Sequence, residues 1–127
     1  MTYRLTIKDG FAAAHRLAGS GGKCESLHGH NFGVTLEVAG DRLYETGMLI
    51  DFGDLKKILK VVLAQLDHSD LNEHPAFSRS SPSSENIARF IWNEVNDAID
   101  LNTVTVVSVT VNESETASAK YMPGEGT

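Results

Sequence analysis

Apolar and polar side chains alternate along much of the first forty residues of this chain, the period-2 pattern of half-buried strands. Tyr3, Leu5 and Ile7 share one parity, which continues through Phe11 and Ala13 to His15. A first strand is expected there, bulged at Gly10. Residues 18–23, Ala-Gly-Ser-Gly-Gly-Lys, have no period and read as a glycine-rich loop. In the next stretch Phe32, Val34, Leu36 and Val38 fall on one face, with Asn31, Thr35 and Glu37 on the other. His28 and His30 have the parity of the apolar face. Gly40 and Asp41 mark a turn.

The period then changes. Leu55, Ile58, Leu59, Val62, Leu63 and Leu66 follow the i, i+3, i+4, i+7 spacing of a helix, capped by Asp51 or Asp54 and ending near Leu66. Asp67 and His68 fall at its C-terminal edge. Residues 72–83 read as a loop, with His74 exposed in it. Pro82, Ser83, Ser84 and Glu85 open a second helix, whose stripe is Ile87, Ile91, Val95 and Ala98. From Val104 the alternation returns, with Val107, Val109 and Val111 on one face and Glu113 next in register. A last strand covers Ala117–Tyr121. The order ββααββ predicts one α+β domain over residues 1–127, a four-stranded antiparallel sheet with both helices on one face. Its open face and free edges favour an oligomer.

Composition narrows the function. With 41% hydrophobic and 22% charged residues, the chain is expected to be a soluble globular protein. No apolar run reaches membrane-spanning length, and no basic-then-apolar leader pattern opens the chain. A single cysteine excludes an internal disulfide framework and fits a reducing cytoplasm. A net charge of −6 without a local Lys/Arg cluster argues against nucleic acid as the main partner.

The chemistry sits in three histidines. His28 and His30, two apart on a strand, project from one face, and a neighbouring strand carrying His15 supplies a third imidazole. Three imidazoles with no fourth protein ligand describe a catalytic zinc site, open to water or substrate. Cys24 lies just ahead of the pair, where such a site needs a base or nucleophile. A generic zinc hydrolase would use the same three histidines without needing Cys24.

Phe11-Ala-Ala-Ala-His15-Arg-Leu, Cys24-x-x-x-His28-Gly-His30, Asp51-Phe52-x-x-Leu55-Lys56, Leu66-Asp67-His68, Pro82-x-Ser84-Glu85 and Val111-x-Glu113 occur in this order. Together they resemble the 6-pyruvoyl-tetrahydropterin synthase/6-carboxy-tetrahydropterin synthase family over about Tyr3 to Tyr121. The three-residue gap between Cys24 and His28 resembles its bacterial carboxy-tetrahydropterin branch. The resemblance implies a tunnelling fold, in which trimers close their sheets into a barrel, two trimers stack as a hexamer, and active sites lie between subunits. It implies Zn2+ on His15, His28 and His30, Cys24 as general base, and Asp67 with His68 as its proton-transfer partners. Glu113 is implied as the anchor of a pterin ring, whose 2-amino group and ring N–H suit the two oxygens of one carboxylate. Glu115 is the rival register. Arg16, Lys23 and Arg79 are candidate cations for a triphosphate tail.

The implied reaction is a lyase conversion of 7,8-dihydroneopterin triphosphate to 6-carboxy-5,6,7,8-tetrahydropterin, acetaldehyde and triphosphate, leading to 7-deazaguanine and queuosine. One departure complicates it. Residue 25 is Glu, so the chain also spells the Glu-x-x-His-Gly-His of a folate-linked branch, which cleaves the same substrate to 6-hydroxymethyl-7,8-dihydropterin. Glu25 is thus the catalytic candidate for an alternative or dual activity. A non-catalytic pterin- or metal-binding module is the remaining reading.

Overall fold

The computed structural model describes residues 2–19, 21–100 and 102–124, with the side chains of Lys23 and Cys24 outside the described set. Strand β1 (Tyr3–His15) and strand β2 (His28–Gly40) pair antiparallel in an unbroken register, from Tyr3 opposite Gly40 to His15 opposite His28. The expected bulge at Gly10 is absent. Gly10 lies opposite Gly33, and the close pairing explains the glycine, because a Cβ there would come 2.8 Å from the Phe32 carbonyl oxygen.

Helix α1 (Phe52–Ala64) starts where Asp51 accepts the backbone N–H groups of Gly53 and Asp54, a cap that contributes about 1 kcal/mol. Leu55, Leu59, Val62 and Leu63 form its buried stripe. The helix stops at Ala64 rather than Leu66, and the turn that follows ends with His68 in the left-handed region at φ 56°. Helix α2 (Ser84–Ala98) is capped by Ser83, whose hydroxyl accepts the Asn86 N–H, and buries Ile87, Ala88, Ile91 and Val95. Both helices pack on the face of the sheet that carries Ile7, Phe11, Phe32, Val34, Leu36, Val38, Val109 and Val111, in one continuous core.

Between the helices, Ser69–Asp70 forms a two-residue strand, β3, parallel to β1 at Ala13 and Ala14. This corrects the expected ββααββ order to ββαβαββ. The sheet is five-stranded and mixed, in the order β3-β1-β2-β4-β5, with the four long strands antiparallel as expected. Two residues carry too little alternation to register as a strand. The supposed loop after it also holds two 3-10 turns, Leu71–Glu73 and Pro75–Phe77, which bury Leu71 and Phe77. His74 is half-buried there: its Nδ1 accepts the Ala76 N–H, and its ring meets Phe90 edge-on.

Strand β4 (Thr105–Ser114) slips against β2 between Glu37 and Val38, leaving Val107 as the extra residue. The buried valines are therefore Val104 and Val106 before the slip, then Val109 and Val111 after it, with Val107 only half-buried. A second slip, against β5 (Ala117–Tyr121), falls at Glu113. Past the first bulge, the parity that carries Val109 and Val111 into the core brings Glu113 to the end of the sheet where the histidines lie.

Candidate active site

Cross-strand pairing builds the site. With His15 opposite His28 and Ala13 opposite His30, all three imidazoles project from the core face at one end of the sheet. The ring centroids are 4.5 Å apart for His15–His28, 4.9 Å for His28–His30 and 5.4 Å for His15–His30. Phe32 stands edge-on to both His15 and His30, closing the apolar side. His15 is fully buried, whereas His28 and His30 are partly open.

Two of the rings have a fixed tautomer. His15 Nδ1 lies 2.7 Å from the Pro82 carbonyl oxygen, and His28 Nδ1 lies 2.7 Å from that of Ser26. A carbonyl oxygen only accepts, so each Nδ1 carries a hydrogen, and in the neutral ring Nε2 is then the nitrogen with the free lone pair. His15 Nε2 and His30 Nε2 are buried without a hydrogen-bond partner. Left so, each costs about 1–3 kcal/mol.

Glu113 completes the group. One donor atom from each of His15, His28, His30 and Glu113 lies within 4.8 Å of every other. Glu113 Oε1 is 2.8 Å from His30 Nε2 and 3.7 Å from His15 Nε2. The shorter contact brings a carboxylate oxygen against the His30 ring nitrogen without making a hydrogen bond. Burial holds the His30 imidazole below its ordinary pKa. The Glu113 carboxylate opposes that shift, and the His15 and His28 rings add to it. Three imidazoles converging beside a carboxylate suit a divalent cation, and the orphaned ring nitrogens are the atoms it would satisfy.

Glu113 Oε2 accepts from the Ser84 hydroxyl at 3.4 Å, across a small cleft lined also by Leu17, Ser83, Glu85, Ala117 and Ser118. Glu115 lines a different concavity, with Lys8, Asn31, Thr35 and Asn112 from the opposite face of the sheet. Geometry thus separates the two glutamates that the sequence left as rivals.

Asp67 and His68 pair directly, Oδ2 to Nδ1 at 3.0 Å, although adjacent residues seldom face one another. The left-handed backbone of His68 turns its ring back onto its neighbour. Asp67 Oδ1 accepts the Ala12 N–H at 2.9 Å, and that bond, with the His68 ring adding to it, holds the carboxyl below its ordinary pKa. His68 is largely exposed and shares a shallow cleft of about 490 Å³ with Ala12, Ala13, Gly29, His30 and Ser69.

Cys24 falls in a 3-10 turn, Gly22–Glu25, directly before β2, and its side chain lies outside the described residues. Glu25 Oε1 accepts the Gly21 N–H at 2.9 Å, so this carboxylate closes its own loop. Arg16 and Arg79 are exposed, and the Lys23 side chain is likewise outside the described residues. Sequence reading missed Pro82, Ser26 and Ser84 as partners of the site. The first two act through main-chain oxygens, for which no side-chain signal exists.

Comparison with known proteins gives the family. The family model for 6-pyruvoyl tetrahydropterin synthase matches residues 4–124. The 6-carboxy-5,6,7,8-tetrahydropterin synthase of Bacillus subtilis is 38% identical over 113 residues, covering 84% of this chain and 75% of that protein. The synthase of the same name from Synechocystis is 41% identical over 116 residues, covering 87% and 86%. The Caenorhabditis elegans 6-pyruvoyl tetrahydropterin synthase structure superposes with a TM-score of 0.85 at 26% identity, covering 96% of each chain. From the family match, the identity to these enzymes and the shared fold, the chain belongs to the 6-pyruvoyl tetrahydropterin synthase family.

Proposed function

We propose that this chain is a zinc-dependent 6-carboxy-5,6,7,8-tetrahydropterin synthase, converting 7,8-dihydroneopterin triphosphate and water to 6-carboxy-5,6,7,8-tetrahydropterin, acetaldehyde and triphosphate. The observation that carries the reading is the converging group of His15, His28, His30 and Glu113, on a sheet whose β1 edge also holds the directly paired Asp67 and His68. A binding module needs the donors but has no use for an acid–base pair. A hydrolase working through a metal-bound hydroxide has no use for Cys24.

His15, His28 and His30 would hold the Zn2+, which when bound polarises the side-chain oxygens of the pterin and makes a proton on the neighbouring carbon easier to remove. The chain's own groups do the rest. The Cys24 thiolate takes that proton. His68 moves protons within the cleft, oriented by the Asp67 carboxylate, whose lowered pKa keeps it ionised. Glu113 accepts the pterin 2-amino group and ring N–H as parallel bonds, with the Ser84 hydroxyl beside it. Glu25 is the weaker candidate for the base, because its carboxylate is engaged with Gly21.

The same reading makes the protein a cytoplasmic homohexamer built as a dimer of trimers, whose product feeds 7-deazaguanine and queuosine synthesis. Its support lies in the sheet edges. Beyond β3, which covers only Ala13 and Ala14, the outer edge of β1 has no strand partner among the described residues, and neither does that of β5. Such edges call for partners. No helix of the structure is long and apolar enough to cross a membrane.

Mass spectrometry of the products formed by zinc-loaded protein from 7,8-dihydroneopterin triphosphate tests the activity. 6-Carboxy-tetrahydropterin with acetaldehyde is expected. Predominant 6-hydroxymethyl-dihydropterin would move the reading to the folate branch, and pterin binding without turnover would leave only a binding module.

A further inference from the structure

The segment from Asp67 to Asn72 runs along the outer edge of β1 and satisfies that edge in three successive steps. At Ala12, the N–H donates to Asp67 Oδ1 at 2.9 Å and the carbonyl accepts the His68 N–H at 2.6 Å. At Ala13 and Ala14, β3 supplies ordinary parallel strand pairing. At Arg16, the Asn72 carboxamide takes over: Oδ1 accepts the Arg16 N–H at 2.8 Å and Nδ2 donates to the Arg16 carbonyl at 3.1 Å. Asn72 is itself held by Asp70, whose Oδ1 accepts the Asn72 N–H at 3.0 Å.

We propose that Asn72 is a positioning residue for the metal centre, a side-chain extension of β3 that fixes the main chain leaving His15. Three facts support this. Arg16 is the residue after His15, at the point where β1 gives way to the glycine-rich loop and loses its strand partner. His15 is fully buried, and its ring is constrained at Nδ1 by Pro82, so a shift of its backbone moves Nε2 relative to His28 and His30. The main chain of one residue offers a donor and an acceptor some distance apart, and a carboxamide answers them with two separate atoms. Asparagine at 72 therefore does what an acceptor-only aspartate cannot, and spans a gap that the single oxygen of serine would have to bridge alone. The inference rests on the proposed metal site and adds the element that holds one of its ligands in place, in the way outer groups commonly tune metal binding.

The test measures Zn2+ affinity by chelator competition in wild-type protein, Asn72→Ala, Asn72→Asp and Asp51→Ala. The last removes the cap of α1, away from the site, and controls for lost stability. Asn72→Ala is expected to weaken Zn2+ binding about 10- to 100-fold. Asn72→Asp keeps the acceptor for the Arg16 N–H but loses the donor, and falls between. Asp51→Ala binds as wild type. Amide hydrogen exchange at Arg16 should rise in both Asn72 variants and stay unchanged in Asp51→Ala. Wild-type affinity in Asn72→Ala, or equal weakening in Asp51→Ala, would overturn the positioning role while leaving the metal site standing. A wild-type protein that does not bind Zn2+ would overturn the metal site itself, and this inference with it.

Discussion

His15 and His28 stand opposite one another in the β1–β2 register, their ring centroids 4.5 Å apart, each with Nδ1 tied to a main-chain carbonyl oxygen. The register makes the site. A slip of one residue would turn His28 and His30 to the opposite face of the sheet. The paired glycines Gly10 and Gly33 lie midway along the same ladder, where a Cβ on Gly10 would collide with the Phe32 carbonyl.

Removing one of the two rings should therefore cost more than one ligand. His15→Ala leaves the Pro82 carbonyl without its donor and opens a cavity beside Phe32. Its Zn2+ affinity should fall by more than the roughly 10- to 100-fold typical of losing an outer partner. Stripping the metal with a chelator should lower the melting temperature of the wild type, because the metal binds only the folded state, and should leave that of His15→Ala unchanged. Equal chelator sensitivity in the two proteins would place the metal elsewhere.

Much of this was legible in the sequence, for a physical reason. Parity along a strand is a strict period of 2, so His15, His28, His30 and Glu113 could each be assigned to the core face from their apolar neighbours. Features that break the period could not be read. The bulge that leaves Val107 as the extra residue is invisible in a run of valines, because every residue there suits either face. Strand β3 is too short to alternate, and the direct Asp67–His68 contact depends on one left-handed residue. The carbonyls of Pro82 and Ser26 have no signature in the sequence at all.

Asp67 should make the fold sensitive to acid. The Ala12 N–H and the His68 ring hold its carboxyl below the unfolded value, so the unfolded chain binds the extra proton. The stability this contributes is complete above the unfolded-state pKa of about 3.9 and is lost as the pH falls through the folded value. Urea unfolding of wild type and Asp67→Asn should differ at pH 7, and the difference should shrink toward pH 3. A gap that does not change with pH would mean that the carboxylate contributes nothing in its charged form. Asp67→Asn should also lower kcat by about 10²- to 10⁴-fold, the range for loss of an acid–base partner.

Glu113 faces two ways, Oε1 toward His30 Nε2 and Oε2 toward the Ser84 hydroxyl and the small cleft. Glu113→Gln keeps the shape and removes the charge. Its terminal NH2 group is a donor and cannot accept from a second pterin N–H. Losing a charge-assisted bond of about 1.5–3 kcal/mol should lower kcat/KM by roughly 10- to 100-fold. Glu115→Gln, altered on the opposite face of the sheet, should leave kcat/KM near wild type. The reverse ranking would exchange the two roles.

Variants of Glu25 test which of the two carbon-cleaving reactions the chain catalyses. On the folate reading its carboxylate must meet the substrate, and Glu25→Ala should then abolish any 6-hydroxymethyl-dihydropterin while sparing 6-carboxy-tetrahydropterin. In the structure that carboxylate instead accepts the Gly21 N–H at 2.9 Å, closing the 3-10 turn that carries Cys24. A loop-closing role predicts another pattern. Glu25→Ala should lower total turnover, because the turn bearing Cys24 is less well held, and should leave the product ratio as it was. Glu25→Gln, whose amide oxygen can still accept from Gly21, should recover most of that turnover. Product ratios by mass spectrometry for the two variants and the wild type distinguish the cases, and a ratio that shifts in both variants would make Glu25 a catalytic carboxylate.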